Sequence, residues 1–228
     1  VCDQKQVAVL VPTTILAQQH YQTFSERMLP FPVRVEVMSR FGTAKNLKRI
    51  AEDVKAGKVD VLIGTHRILS KDVQFRDLGL LVVDEEQRFG VNHKECLKQM
   101  KRQIDVVTLT ATPIPRTMHM SLMGARDMSI INTPPQDRLP IHTEILTFDE
   151  GRIVEAIQRE ISRGGQVYFV HNRVQSIYSL SEYLQDLLPG ARFAVAHGQM
   201  PARQLEGIMF DFLERKYDCL ISTMIIES

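Results

Sequence analysis

The run L-V-V-D-E-E-Q-R-F-G, residues 81–90, passes from hydrocarbon side chains into three consecutive acids, then an amide, an arginine, an aromatic and a glycine. An aspartate ending a hydrophobic strand can hold Mg2+ through its water shell, because that ion is satisfied by a few carboxylates, phosphate oxygens and retained waters. Asp84 occupies that position, and Glu85 beside it has the chemistry to orient or deprotonate an attacking water. Acids at a strand end also cap the next helix, so the tetrad by itself leaves both roles open. A second run, T-L-T-A-T-P-I-P-R-T at 108–117, places the hydroxyls of Thr110 and Thr112 within reach of Gln87 or the acids. A tight turn before a proline-started helix is the structural alternative for Thr-Ala-Thr. A phosphate cradle of the form G-x-x-x-x-G-K-[ST] has no match in these residues: Gly57-Lys58 is followed by Val59, and position 52 is Glu rather than Gly.

Positioning such acids needs a sheet whose strand ends converge. Five β-branched runs supply candidates: 6–11, 33–38, 59–64, 78–84 and 104–109. Continuous apolar strands separated by amphipathic helical patterns are the mark of a parallel sheet covered on both faces, so the fold class is α/β. Residues 13–28 and 43–57 read as helices, the first with Thr13 or Thr14 as N-cap, the second closing on Gly57. After the prolines at 134, 135 and 140 the alternation restarts: strand 142–148, helix 149–165, strand 166–171, helix 174–190, strand 192–197, helix 201–216 and strand 217–223. The boundary is expected near residue 140, giving units 1–140 and 141–228. Ligands of such sheets gather at the carboxyl ends of the strands.

Composition narrows the class. With 44% hydrophobic and 24% charged residues the chain is globular, and its longest apolar runs fall far short of a bilayer span. A net charge of +1 argues against binding nucleic acid by bulk electrostatics, although residues 34–76 hold ten Lys/Arg against five Asp/Glu. Cys2, Cys96 and Cys219 are widely separated and odd in number, which suits reduced thiols rather than a disulfide framework or a zinc site. The histidines are scattered without metal-ligand spacing; those outside the motifs, and Met118, Met120, Met123 and Met128, are assigned to packing. The opening V-C-D-Q-K-Q lacks an initiator methionine and a basic leader, so a piece of a longer cytoplasmic polypeptide without a secretory signal is expected.

P-T-T-I-L-A-Q-Q-H (12–20), I-G-T-H-R-I-L (63–69), V-V-D-E-E-Q-R-F-G-V (82–91), L-T-A-T-P-I-P-R-T (109–117), V-Y-F-V-H-N-R-V (167–174), A-H-G-Q-M (196–200) and I-S-T-M-I-I-E-S (221–228) follow in order. Together they resemble the motor core of superfamily 2 helicase-like translocases, most closely the bacterial transcription-repair coupling factors, with RecG helicases next. The resemblance implies two RecA-like lobes with mostly parallel sheets, both incomplete here, that bind ATP and Mg2+ in the cleft between them and walk along double-stranded DNA. It makes Asp84 the Mg2+ acid and Glu85 the activator of water, with Gln87, Thr110 and Thr112 coupling nucleotide state to lobe position. It places Thr13, Gln18, Thr65, His66 and Arg67 in the DNA-facing motifs of the first lobe, and His171, Asn172, Arg173, Gln199 and Thr223 in those of the second. Surface ion pairing is the rival role for Arg67 and Arg173. Displacement of stalled RNA polymerase and coupling to nucleotide excision repair would run through regions outside these residues. The family's phosphate loop precedes the first strand and its arginine-bearing motif follows the last, so these residues alone are expected not to hydrolyse ATP. A fork-remodelling helicase and a non-catalytic DNA or protein docking module are the alternatives.

Overall fold

The computed structural model describes residues 3–39, 42–89, 104–111, 127–133 and 141–227. The chain divides into two compact units, Val1–Asn132 and Thr133–Ser228.

In the first unit, β1 (Gln6–Leu10), β2 (Val35–Met38), β3 (Val61–Gly64), β4 (Leu78–Asp84) and β5 (Asp105–Leu109) form one sheet in the order β2-β3-β1-β4-β5, every pairing parallel. The alternation along β1 sorts its side chains between two cores. Ala8 and Leu10 join Leu62, Leu81 and Val83 under Ile50, Ala51 and Val54 of α2 (Ala44–Lys55). Val9 and Val11 join Val61 and Ile63 under Leu16, Ala17, Tyr21 and Phe24 of α1 (Thr14–Met28). The centre of the sheet is therefore a buried layer between α1 and α2, while Val107 and Leu109 of the edge strand β5 stay exposed.

Local signals set the helix limits. The Thr13 hydroxyl accepts from the Leu16 amide at 3.3 Å and that of Thr43 from Asn46 at 3.2 Å, each satisfying an amide with no helical partner. At the end of α2, Gly57 takes φ +72° while its amide donates to Val54 and that of Lys58 to Asp53, closing the last turn in the left-handed conformation that glycine adopts at least cost.

In the second unit, β6 (Val167–Val170), β7 (Phe193–Ala196) and β8 (Cys219–Ser222) form a parallel sheet in the order β6-β8-β7. Ile153 of α3 (Glu150–Ser162) and Ile177 and Leu184 of α4 (Val174–Leu187) cover the face bearing Cys219 and Ile221. On the other face Phe212 of α5 (Ala202–Leu213) meets Tyr168 with ring centroids 4.8 Å apart.

The two units repeat one frame down to single hydrogen bonds. The order β7-β8-β6 corresponds to β2-β3-β1. In each, an aspartate just before the middle strand accepts from the backbone amide of an arginine just before the flanking strand, 26 residues away: Asp60 from Arg34 at 2.7 Å, and Asp218 from Arg192 at 2.8 Å. In each, a glutamine at the foot of the third strand donates to two backbone carbonyls: Gln6 to Val54 and Val59, and Gln166 to Phe212 and Tyr217. The α5 cap repeats that of α2, with Arg215 at φ 61° where Gly57 stands and Lys216 donating to Asp211 as Lys58 does to Asp53.

Three expectations are corrected. Residues 142–148, expected as a strand, pair with none of the described strands, and Ile145 is 97% exposed, because β-prone residue types do not by themselves supply a ladder partner. Met128 is 48% exposed rather than packed, while Met118, Met120 and Met123 lie outside the described residues, as do Cys2, Cys96 and the proline-started helix after Thr112. His142, assigned to packing, lies at the surface with its Nε2 2.9 Å from Glu144. No helix among the described residues is long and apolar enough to cross a membrane.

Candidate functional site

Asp84 is the last residue of β4, between β1 and β5. Its Oδ2 accepts from Nε2 of His20 on α1 at 3.1 Å, and both side chains are largely shielded. Glu85 follows in the left-handed region, φ 51° and ψ 51°, which few residues other than glycine, asparagine and aspartate enter. Strain of this kind costs on the order of 1–3 kcal/mol and persists only where its surroundings impose it. Here they do. The Glu85 amide donates to Leu109 at 3.0 Å, Oε1 accepts from the Ala111 amide at 3.2 Å, and Oε2 accepts from Nε2 of Gln87. The Thr108 hydroxyl donates to Glu86 at 3.4 Å, and Gln87 and Arg88 form one turn of 3-10 helix with Glu86. The end of β5 and the end of β4 are thus bolted together through the acids.

Thr108 and the Ala111 backbone join the end of β5 to the acid cluster. Thr110 lies in the exposed turn between them and Thr112 outside the described residues. His20 was missed by sequence reasoning. The only sequence signal is its place in P-T-T-I-L-A-Q-Q-H, two turns into the helix that Thr13 caps.

The remaining candidates of the first unit fall at neighbouring strand ends. Thr13 serves as the α1 N-cap, and Gln18 is half-buried on that helix. Thr65 directly follows β3 and opens the 3-10 turn His66–Leu69. A methyl group on Gly64 would sit 2.4 Å from the Met38 carbonyl oxygen, so only glycine lets the turn approach β2 this closely. The Arg67 guanidinium forms a forked pair with Asp72, which holds that carboxyl below its usual range, so ion pairing is the role this structure displays. The basic excess over 34–76 is partly spent the same way: Arg34 contacts Glu36 at 2.7 Å and Asp53 at 2.8 Å, with Arg49 nearby.

In the second unit, His171, Asn172 and Arg173 follow β6 and lead into α4, where His171 Nε2 and the Ser176 hydroxyl share a hydrogen bond at 2.8 Å. Asn172 and Arg173 are exposed, and Arg173 forms no ion pair among the described residues. Gln199 is exposed in the turn after β7, and Thr223 is buried after β8 with its amide donating to Ala196. His197 is buried, its Nε2 sharing a hydrogen bond with the Tyr178 hydroxyl at 3.1 Å.

Four buried side-chain atoms among the described residues lack a hydrogen-bond partner: Thr65 Oγ1, Gln87 Oε1, His197 Nδ1 and Ser222 Oγ. Ser222 is the last residue of β8, Thr65 and His197 directly follow β3 and β7, and Gln87 lies in the 3-10 turn after β4. Buried polar atoms are normally satisfied, so orphans confined to the edge where parallel sheets take their ligands mark that edge as chemically unfinished.

Residues 1–121 match the DEAD/DEAH box helicase family, and residues 152–228 match the helicase conserved C-terminal domain. Transcription-repair-coupling factors of Staphylococcus epidermidis and Staphylococcus aureus are 57% and 58% identical over all 228 residues. The chain spans 20% of the length of these relatives. A solved structure of RecG bound to a three-way DNA junction is 31% identical with a TM-score of 0.72, over 97% of this chain and 30% of that one. A DUF1998 helicase, MrfA, solved with DNA and AMPPNP, shares the fold at 14% identity and a TM-score of 0.64, over 99% of this chain and 36% of its own.

Proposed function

The chain belongs to the DEAD/DEAH box helicase family, and from that membership we propose that the full natural protein is an ATP-driven motor on double-stranded DNA. Its task is to displace stalled RNA polymerase and pass the site to excision-repair proteins, in the cytoplasm. The observation that carries this reading is the 57–58% identity to transcription-repair-coupling factors in alignments that span all 228 residues. In this reading residues 1–140 and 141–228 belong to successive motor lobes.

The acid cluster supports a nucleotide-processing role. Among the described residues no group of three or more His, Cys, Asp and Glu could hold a metal ion by itself. Mg2+ suits that sparseness, since it is commonly held by one or two carboxylates with nucleotide phosphates and water completing its shell. The orphaned Gln87 Oε1 beside the acids is a further oxygen without a partner. Bound there, Mg2+ would neutralise charge on phosphate oxygens. Asp84 would hold it through a carboxylate oxygen. Glu85, held by Gln87 and Ala111, orients the attacking water and takes up its proton. Gln87, Thr110 and Thr112 link that chemistry to the β5 turn. Gln18 on α1 and the residues Thr13, Thr65, His66, His171, Asn172, Arg173, Gln199 and Thr223 that follow strands contact phosphate and sugar, which lets a motor advance without reading sequence. Arg67 joins them only by leaving Asp72.

The RecG likeness favours a second reading, remodelling of stalled replication forks. Two assays on the full natural protein separate them. ATP-dependent displacement of a third strand from a DNA triplex reads movement along duplex DNA, and release of an RNA polymerase halted by nucleotide starvation reads the task. Triplex displacement with polymerase release is expected. Regression of model forks without polymerase release selects the second reading, and no triplex displacement removes both.

A further inference from the structure

We propose that His20 is a positioning residue for Asp84, fixing which carboxylate oxygen faces the hydrated cation. The inference rests on the reading of Asp84 as the Mg2+ acid. Thr13 sets the start of α1, and two turns later the helix carries the His20 imidazole to Asp84, 64 residues further along the chain. Phe24, one turn on, backs the ring with a centroid separation of 6.3 Å. The histidine and aspartate side chains are only 24% and 18% exposed, so water competes weakly for the bond.

The terminal torsion of an aspartate is broad when nothing restrains it. A donor on Oδ2 selects one orientation and leaves Oδ1, which accepts from none of the described residues, as the oxygen turned to the ion's water shell. An imidazole N–H does this without the permanent charge that a lysine or arginine would set against the cation. The two partners come from different elements, α1 and β4, so the orientation of the acid is tied to the position of the helix that Thr13 caps.

The test uses the full natural protein and a fluorescent non-hydrolysable ATP analogue, titrated in Mg2+ and again in EDTA. Asp84→Asn should abolish the gain in affinity that Mg2+ gives. His20→Ala should reduce that gain about two- to tenfold, the net worth of one hydrogen bond expressed as a ratio, with affinity in EDTA unchanged. His20→Gln, whose amide also donates, should retain the gain. His20→Leu, which fills the space against Phe24, replaces alanine if alanine disturbs folding. An unchanged gain in His20→Ala, an equal loss in Mg2+ and EDTA, or a glutamine variant as weak as alanine overturns the positioning role. A full gain in Asp84→Asn overturns the metal assignment itself.

Discussion

Glu85→Gln should silence hydrolysis while barely disturbing the fold, and the hydrogen bonds around Glu85 say why. Its Oε1 accepts from the Ala111 amide at 3.2 Å and its Oε2 from Gln87, whose own Oε1 is buried without a partner. A glutamine at 85 keeps an oxygen for Ala111 and places an amide where Oε2 was. Gln87 can then turn its amide by half a turn and accept through Oε1, so that Nε2 takes over the buried position without a partner. The bond re-forms with donor and acceptor exchanged, and the change from charged to neutral hydrogen bonding, about 1 kcal/mol per bond, is offset by removing one of three adjacent negative charges. The expected cost is about 1 kcal/mol or less. Glu85→Ala deletes both bonds and leaves the Gln87 amide with neither, which costs about 2–4 kcal/mol. Urea unfolding followed by circular dichroism on the 228-residue chain reads the stability difference, and ATP hydrolysis by the full natural protein reads the chemistry. Loss of a positioned base should lower turnover about 10²- to 10⁴-fold in both variants. Equal destabilisation by glutamine and alanine would refute the hydrogen-bond argument, and undiminished turnover in Glu85→Gln would refute the role of the carboxylate.

The 228-residue chain itself, with no G-x-x-x-x-G-K-[ST] sequence, should release no phosphate from Mg-ATP above background with or without duplex DNA; steady turnover would show that another element cradles the phosphates. Arg215→Gly should stabilise the second unit by roughly 0.5–1 kcal/mol in denaturant titration, because it relieves a left-handed residue at the cost of one exposed hydrogen bond to Gly164. Arg192 beside Asp218 holds that carboxyl below its ordinary range. The folded form therefore binds fewer protons than the unfolded one, and the stabilisation is complete above the unfolded pKa and lost as pH falls through the folded value. Asp218→Asn should flatten that acid limb in pH-resolved melting curves. Burial, with a smaller contribution from Asp218, pushes the Cys219 thiol up to about 12. Iodoacetamide at pH 8 should label Cys219 only after unfolding, as read by peptide mass spectrometry.

Periodicity made most of the frame legible. The apolar runs at 6–11, 59–64 and 78–84 became buried parallel strands, and T-A-K-N-L-K-R-I became a helix capped at Thr43, because burial on two faces and a free first-turn amide leave marks on residue type. The acid tetrad was legible as a strand end for the same reason. Contacts that join distant segments were not. Asp84 and His20 stand 64 residues apart, and nothing in local spacing pairs a helix histidine with a strand-end acid. Glu85 gives no hint of a positive φ, since that conformation is imposed by Leu109, Ala111 and Gln87 rather than preferred by glutamate. Residues 142–148 show the converse: Thr143, Ile145, Thr147 and Phe148 are β-prone types, and the ladder they call for is not among the described strands.

The repeated clamps at the strand feet bear on how the molecule comes apart. Each unit carries its own aspartate-to-arginine brace, its own glutamine tie and its own left-handed helix stop, so each registers its central three strands from internal parts alone. Two such units are expected to open as separate foldons. Amide exchange should find each protected to its own depth, with the middle strands β3 and β8 the slowest to surrender their protons.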